Sequence, residues 1–134
     1  MVKDIRLSYV KECRRRGDCY MHHILLISDN KEVARLTSRM LKKNGYQVSI
    51  YSACDKLPDS SVSLLMFDCE ISPKDGFREY YNVMRQYRSA LILWVSSHAD
   101  DEIEALEIGC DEWIKKPYNV QVFLARIKNL LRNS

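Results

Sequence analysis

The stretch SLLMFDCEISPKDGF, residues 63–77, runs five mostly apolar residues straight into the carboxylate of Asp68, then turns at Ser72-Pro73, Asp75 and Gly76. A short apolar run closed by turn signals is the pattern of a strand buried on both faces. A charge at the end of such a strand is costly unless other groups meet it. In a parallel sheet those groups come from the ends of neighbouring strands. The flanking sequence therefore decides both the fold and the role of Asp68.

On both sides the pattern repeats. HILLIS (23–28) and ALILWV (90–95) are further short apolar runs, YQVSIY (46–51) reads as a strand, and EWIK (112–115) is a brief one before Pro117. Helical patterns lie between them. Asn30 caps a helix carrying Val33, Leu36 and Met40 on one face, and Asn44-Gly45 stop it. Residues 53–61, ACDKLPDSS, offer a turn or two of helix at most. A helix from about Gly76 to Tyr87 sets Phe77, Tyr80, Tyr81, Met84 and Tyr87 at helical spacing, as core and rim. A short acidic helix spans Asp100 to Ile108 with Gly109 as its stop, and Val120, Phe123, Leu124, Ile127 and Leu131 mark a last one. Five βα units with apolar strands predict an α/β, doubly wound fold, its parallel sheet covered on both faces. Ligands in such sheets sit beyond the carboxyl ends of the strands, near the switch in strand order.

The totals agree with one domain. The chain has 134 residues, 46% apolar and 29% charged, which are globular values. No apolar run reaches the length of a membrane span and no signal-peptide core stands at the N-terminus, so a cytoplasmic protein is expected. Five cysteines, at 13, 19, 54, 69 and 110, are odd in number and irregularly spaced, which predicts reduced thiols. Residues 1–20 carry six Lys/Arg against three Asp/Glu, whereas residues 21–134 balance at zero. The main body thus lacks the basic bias of a nucleic-acid binder. Residues 1–20 read as an extension, and 21–134 as the domain. Arg15-Arg16-Gly17 is codable by purine-rich codons resembling a ribosome-binding site, so Met21 is the expected start. Cys13, Cys19, His22 and His23 are residue types that bind zinc, but their spacing matches no structural zinc pattern.

At the predicted strand ends stand Ser28-Asp29, Asp68, Ser96-Ser97 and Lys116-Pro117. A lone Asp after a strand is usually a turn cap. Two carboxylates, a hydroxyl and an ammonium on one edge are more specific, and suit a hard divalent cation with a phosphoryl group. Mg²⁺ takes one or two carboxylates and completes its shell with water and phosphate oxygens. A carboxylate can attack phosphorus to give an aspartyl phosphate, and Lys116 would offset the charge on the transferring oxygens. Ser28, Ser97 and the loop residue His98 read as structural or solvated, and Cys69 as an inward-packing small hydrophobe.

The segments ILLISDN, LLMFDCEISPKDGF, ILWVSS, EIGCDEWIKKPY and LARIKNLLR, in this order and spacing, resemble the receiver domain of two-component response regulators over residues 22 to 132. The resemblance implies a flavodoxin-like (βα)5 three-layer sandwich with sheet order 2-1-3-4-5. It makes Asp68 the phosphoacceptor, Asp29 a direct Mg²⁺ ligand and Glu70 a backbone-carbonyl ligand. Ser96 takes the place of the switch hydroxyl, Lys116 that of the family's lysine, and Trp113 that of the aromatic switch. It further implies a signalling switch and not an enzyme, phosphorylated by a sensor histidine kinase. The ending LARIKNLLRNS resembles receivers of winged-helix transcription regulators, in which a separate C-terminal domain contacts DNA. Those receivers pair as homodimers through their fourth helix, fifth strand and fifth helix, which would set Asp111 against Lys128 and Glu112 against Arg126. Glu102 and Val122 stand where a third pair would be expected. Further departures are Ser28 in place of a second acidic residue, a short link between the second and third strands, Pro73 one residue late, and the bulk of Trp113. Ser28 suggests the rival reading of a pseudo-receiver acting as a phosphorylation-independent interaction module. A flavin-binding domain of similar topology would need a Gly- and hydroxyl-rich phosphate loop where SDNKEVA stands.

Overall fold

A computed structural model describes residues 22–132. Five strands and four helices follow in the order β1 (His23–Ser28), α1 (Lys31–Lys43), β2 (Gln47–Tyr51), β3 (Leu64–Asp68), α2 (Phe77–Gln86), β4 (Leu91–Ser96), α3 (Asp101–Glu107), β5 (Glu112–Lys115) and α4 (Val120–Arg132). The strands form one parallel sheet in the order β2-β1-β3-β4-β5. Alternate residues of each central strand leave opposite faces. Ile24, Leu26, Leu64, Met66, Leu93 and Val95 meet α1 and α4, through Ala34, Leu41, Phe123 and Ile127. Leu25, Ile27, Leu65, Phe67 and Trp94 meet α2 and α3, through Tyr80, Val83, Met84 and Ala105. This is the expected three-layer sandwich.

The helix ends follow their sequence signals. Asn30 Oδ1 accepts from the backbone N–H groups of Glu32 and Val33, and α1 stops before Asn44 and Gly45, whose φ is +92°. Two expectations are corrected. No helix forms between β2 and β3: a turn at residues 53–54 gives way to irregular chain. Leu57 packs there against the α2 side of the sheet, and the Tyr87 hydroxyl donates to the Pro58 carbonyl. The fold is thus the doubly wound sheet with its second helix missing, and the expected fourth and fifth helices are α3 and α4. On α1 the buried face is Ala34, Thr37, Ser38 and Leu41, while Leu36 points to solvent. Small residues let the helix backbone approach the sheet, so Ala34, Thr37 and Ser38 mark the contact together with Leu41.

The expectations for residues 1–20, including Cys13, Cys19 and the start at Met21, lie outside the described residues. His22 and His23 are engaged within the fold: His22 Nδ1 lies 3.1 Å from Ser63 Oγ, and His23 Nε2 lies 2.8 Å from Ser49 Oγ. Among the described residues no helix is long and apolar enough to cross a membrane.

Candidate functional site

Parallel register brings the predicted residues to one edge. Ser28 on β1 is level with Asp68 on β3, Asp68 with Val95 on β4, and Ser96 with Lys115 on β5. Asp68 therefore ends the central strand with Asp29 on one side and Lys116 on the other. Its side chain is buried, and Lys116 Nζ sits 2.5 Å from Oδ1. A buried carboxylate is costly without a partner, and the Lys116 ammonium supplies one. Lys116 is aimed by its backbone: its N–H donates to the Ser96 carbonyl at 2.7 Å, and the Lys116-Pro117 peptide is cis.

Asp29 ties the site to the loop after β3, since its Oδ2 accepts from the Glu70 N–H at 2.9 Å. Asp29 Oδ1 and Asp68 Oδ2 have no hydrogen-bond partner among the described residues. Ser28 has another task. Its Oγ accepts from the Asn30 N–H at 3.1 Å and lies 3.2 Å from the Asn30 carbonyl, to which it donates, so it shapes the turn that presents Asp29. Ser96 is buried, accepts from Trp113 Nε1 at 3.0 Å and donates to the His98 carbonyl at 3.4 Å. Ser97 and His98 are exposed.

Beneath the edge lies an aromatic cluster that sequence reading classed only as core. Phe67 stacks on Trp94 with ring centroids 4.9 Å apart, and Tyr80 meets Trp94 edge to face at 4.7 Å. The Tyr80 hydroxyl donates to the Ile71 carbonyl at 2.9 Å, pinning the loop that follows Asp68. That loop returns over Gly76, where an added Cβ would stand 2.4 Å from the Tyr80 ring. The signal was the glycine at the start of α2, read only as a turn residue. Cys69 packs inward as expected and donates to the Ile27 carbonyl at 3.4 Å. Burial, and then the Asp29 carboxylate, push its thiol up to about 12.

The residues assigned to a dimer face also make contacts within the single chain. Glu112 and Arg126, expected to pair between chains, form an ion pair of 2.9 Å within one chain. Asp111 Oδ2 accepts from the Ile92 N–H at 2.8 Å and so caps the start of β4. Lys128 is exposed on α4.

A family model described as the response regulator receiver domain matches residues 24–128. The chain belongs to the response regulator receiver domain family. Curated relatives of this receiver are transcriptional regulatory proteins. YvcP of Bacillus subtilis is 30% identical over 120 residues, and GltR of Pseudomonas aeruginosa 33% over 119. CpxR of Escherichia coli is 29% identical over 119 residues. The matches cover 83–85% of this chain but 49–51% of each relative, so the chain spans about half their length. Among solved structures, a CheY-like receiver of Methanospirillum hungatei superposes with TM-score 0.73 at 24% identity, covering 84% of this chain and 95% of its own. CheY4 of Vibrio cholerae gives 0.69 at 20%, covering 82% and 98%. At these identities the structures establish the fold alone.

Proposed function

We propose that this receiver is a phosphorylation switch in which Asp68 accepts a phosphoryl group from a sensor histidine kinase and thereby controls an output, transcription in the relatives that it resembles. The single observation carrying the reading is the buried Asp68 held by Lys116 at the carboxyl end of the central strand. Lys116 occupies Oδ1, which leaves Oδ2 to form the new bond to phosphorus as the donor's bond to phosphorus breaks. Lys116 then stays beside the oxygens on which charge collects. A pseudo-receiver working without phosphate would have no need of a buried carboxylate aimed in this way.

Mg²⁺ fits the donor set. Among the described residues no three metal-ligating side chains converge, but Mg²⁺ asks for only one or two carboxylates and keeps its waters. Asp29 Oδ1, the Asp68 carboxylate and the Glu70 carbonyl would hold it, and it would supply positive charge opposite Lys116. Ser96 follows: to donate to a phosphoryl oxygen, its hydroxyl must release the His98 carbonyl. That frees the segment leading into α3, while the Trp113 indole moves with the serine whose oxygen it contacts. The output face is then α3, β5 and α4, through which the phosphorylated receiver pairs as a homodimer. With Glu112 and Arg126 already joined inside each chain, the exposed apolar Leu106 and Val122 bear more of that contact. Any contact with DNA would be made through a separate C-terminal domain and not through this receiver, and the compartment is cytoplasmic. The test is intact-mass measurement after incubation with a small phosphodonor, with and without Mg²⁺. One phosphoryl group gained only with Mg²⁺ is expected; an unchanged mass under both conditions would refute the proposal.

A further inference from the structure

Charge is segregated between two helices that lie at opposite corners of the molecule. On α1, Lys31, Arg35, Arg39, Lys42 and Lys43 are all exposed against one acid, Glu32, and none of the five has an ion-pair partner among the described residues. On α3, Asp101, Glu102, Glu104 and Glu107 are accompanied by no basic residue. Glu102 and Glu107 are exposed and also lack ion-pair partners among the described residues. The two helices cover different faces of the sheet, α1 over β1 and β2 and α3 beside β5, which is the far edge.

Each charged helix also carries an apolar side chain that the fold leaves in water. Leu36 on α1 is 66% exposed and Ile103 on α3 is 67% exposed, the two highest values among the large apolar residues described. Helical spacing places Arg39 and Lys43 three and seven residues after Leu36, on its side of α1. Glu107, four residues after Ile103, and Glu102 beside it border Ile103 in the same way. Leu36, Met40, Val120 and Leu124 line a shallow groove of about 460 Å³ between α1 and α4, rimmed by Arg39 and Lys43. An apolar floor with a cationic rim on one side of the molecule thus matches an apolar ridge with an anionic rim on the other.

We infer that the occupant of the α1 groove is the α3 ridge of a second copy of this chain, giving head-to-tail association of the unphosphorylated receiver. Because the two surfaces lie on opposite faces and opposite edges, the contact is heterologous: each copy offers a free groove and a free ridge, and the assembly does not close at two. This is independent of the phosphorylation reading and distinct from the symmetric dimer, which uses α3 on both chains. The two contacts compete for α3, so a paired receiver cannot extend the row through it.

Sedimentation of unphosphorylated full-length protein at rising concentration tests the inference. At an ionic strength of about 10 mM, where the screening length is about 30 Å, the average mass should climb past that of a dimer. At about 1 M, with screening cut to about 3 Å, it should return to the monomer. Arg39→Gln/Lys43→Gln and Glu102→Gln/Glu107→Gln should each remain monomeric alone. Mixed in equal amounts, they should form a one-to-one dimer that does not grow, since only one groove and one ridge remain intact per pair. A wild type that stays monomeric at low salt, or stops at a dimer, would overturn the inference. So would variants that associate like the wild type, or a mixture that fails to pair.

Discussion

At the residue scale, the pairing of Asp68 with Lys116 was legible, because the two residue types fall at matching strand ends and parallel register does the rest. Ser28 was legible only as a missing carboxylate. Its actual work, the two bonds to Asn30, depends on local backbone geometry that composition does not reveal. Ser28→Asp should therefore act in two ways. It should lower the stability of the metal-free protein by about 1–3 kcal/mol, because a buried charge replaces a satisfied hydroxyl. It should also strengthen Mg²⁺ binding, because a second carboxylate stands beside Asp29. Thermal unfolding with and without Mg²⁺ reads both, and a variant that Mg²⁺ stabilises no more than wild type would contradict the second. Trp113 gives another prediction. An indole is a donor only, so its bond to Ser96 leaves the serine proton available for phosphate. Trp113→Phe keeps the bulk and removes the donor, and should alter the lifetime of the acyl phosphate. In a Ser96→Ala background the same change should have no further effect, which a double-mutant cycle of decay rates would reveal.

At the element scale, the strands and all four helices could be read from periodicity and turn residues, while the sheet order came from the family resemblance. The link between β2 and β3 could not. ACDKLPDSS has no apolar period, and it is held against α2 by hydrogen bonds, with Tyr87 reaching Pro58 and Gln86 reaching Leu57. Such tertiary bonds have no local signature. The Glu112–Arg126 pair was visible as complementary charge, but spacing cannot say whether a pair closes within a chain or between two. Being exposed, it should contribute only about 0.2–1 kcal/mol, so Arg126→Gln should leave denaturant stability nearly unchanged. Gly76 is a different case. Its φ of −101° suits any residue, so the constraint is the Tyr80 ring alone. Gly76→Ala should cost about 1–3 kcal/mol by overpacking. A further change of Tyr80→Phe should not relieve it, since the clash is with ring carbons; recovery of stability in that double variant would contradict this account.

At the scale of the whole molecule, both thiols buried against the sheet bear on alkaline stability. Burial pushes Cys69 and Cys110 up to about 12 from an ordinary 9.0, with Asp29 and Asp111 respectively adding to the effect. In the window between those values the unfolded chain holds fewer protons than the folded one. The stabilisation is therefore complete below about pH 9 and is lost as pH rises toward 12, by up to about 1.4 kcal/mol per pH unit for each thiol. Urea titrations from pH 8 to 11 should show this decline, and Cys69→Ala with Cys110→Ala should remove the part that sets in near pH 9, leaving the part due to Tyr80, Tyr87 and Tyr118, which burial also pushes up. The fold itself was legible because its sheet is buried on both faces, which writes each central strand as an uninterrupted apolar run. The site was legible because that sheet delivers its polar residues at one edge. The central claim is that this edge carries phosphate on one atom group, the Asp68 carboxylate. Peptide mapping of protein treated with Mg²⁺ and a small phosphodonor, run beside Asp68→Asn, tests it most directly. The account predicts one phosphoryl group on the peptide containing Asp68 and none on the variant, which stays folded because the side chains are nearly isosteric. Stoichiometric acyl phosphate on the variant, or on any other peptide of the wild type, would contradict it.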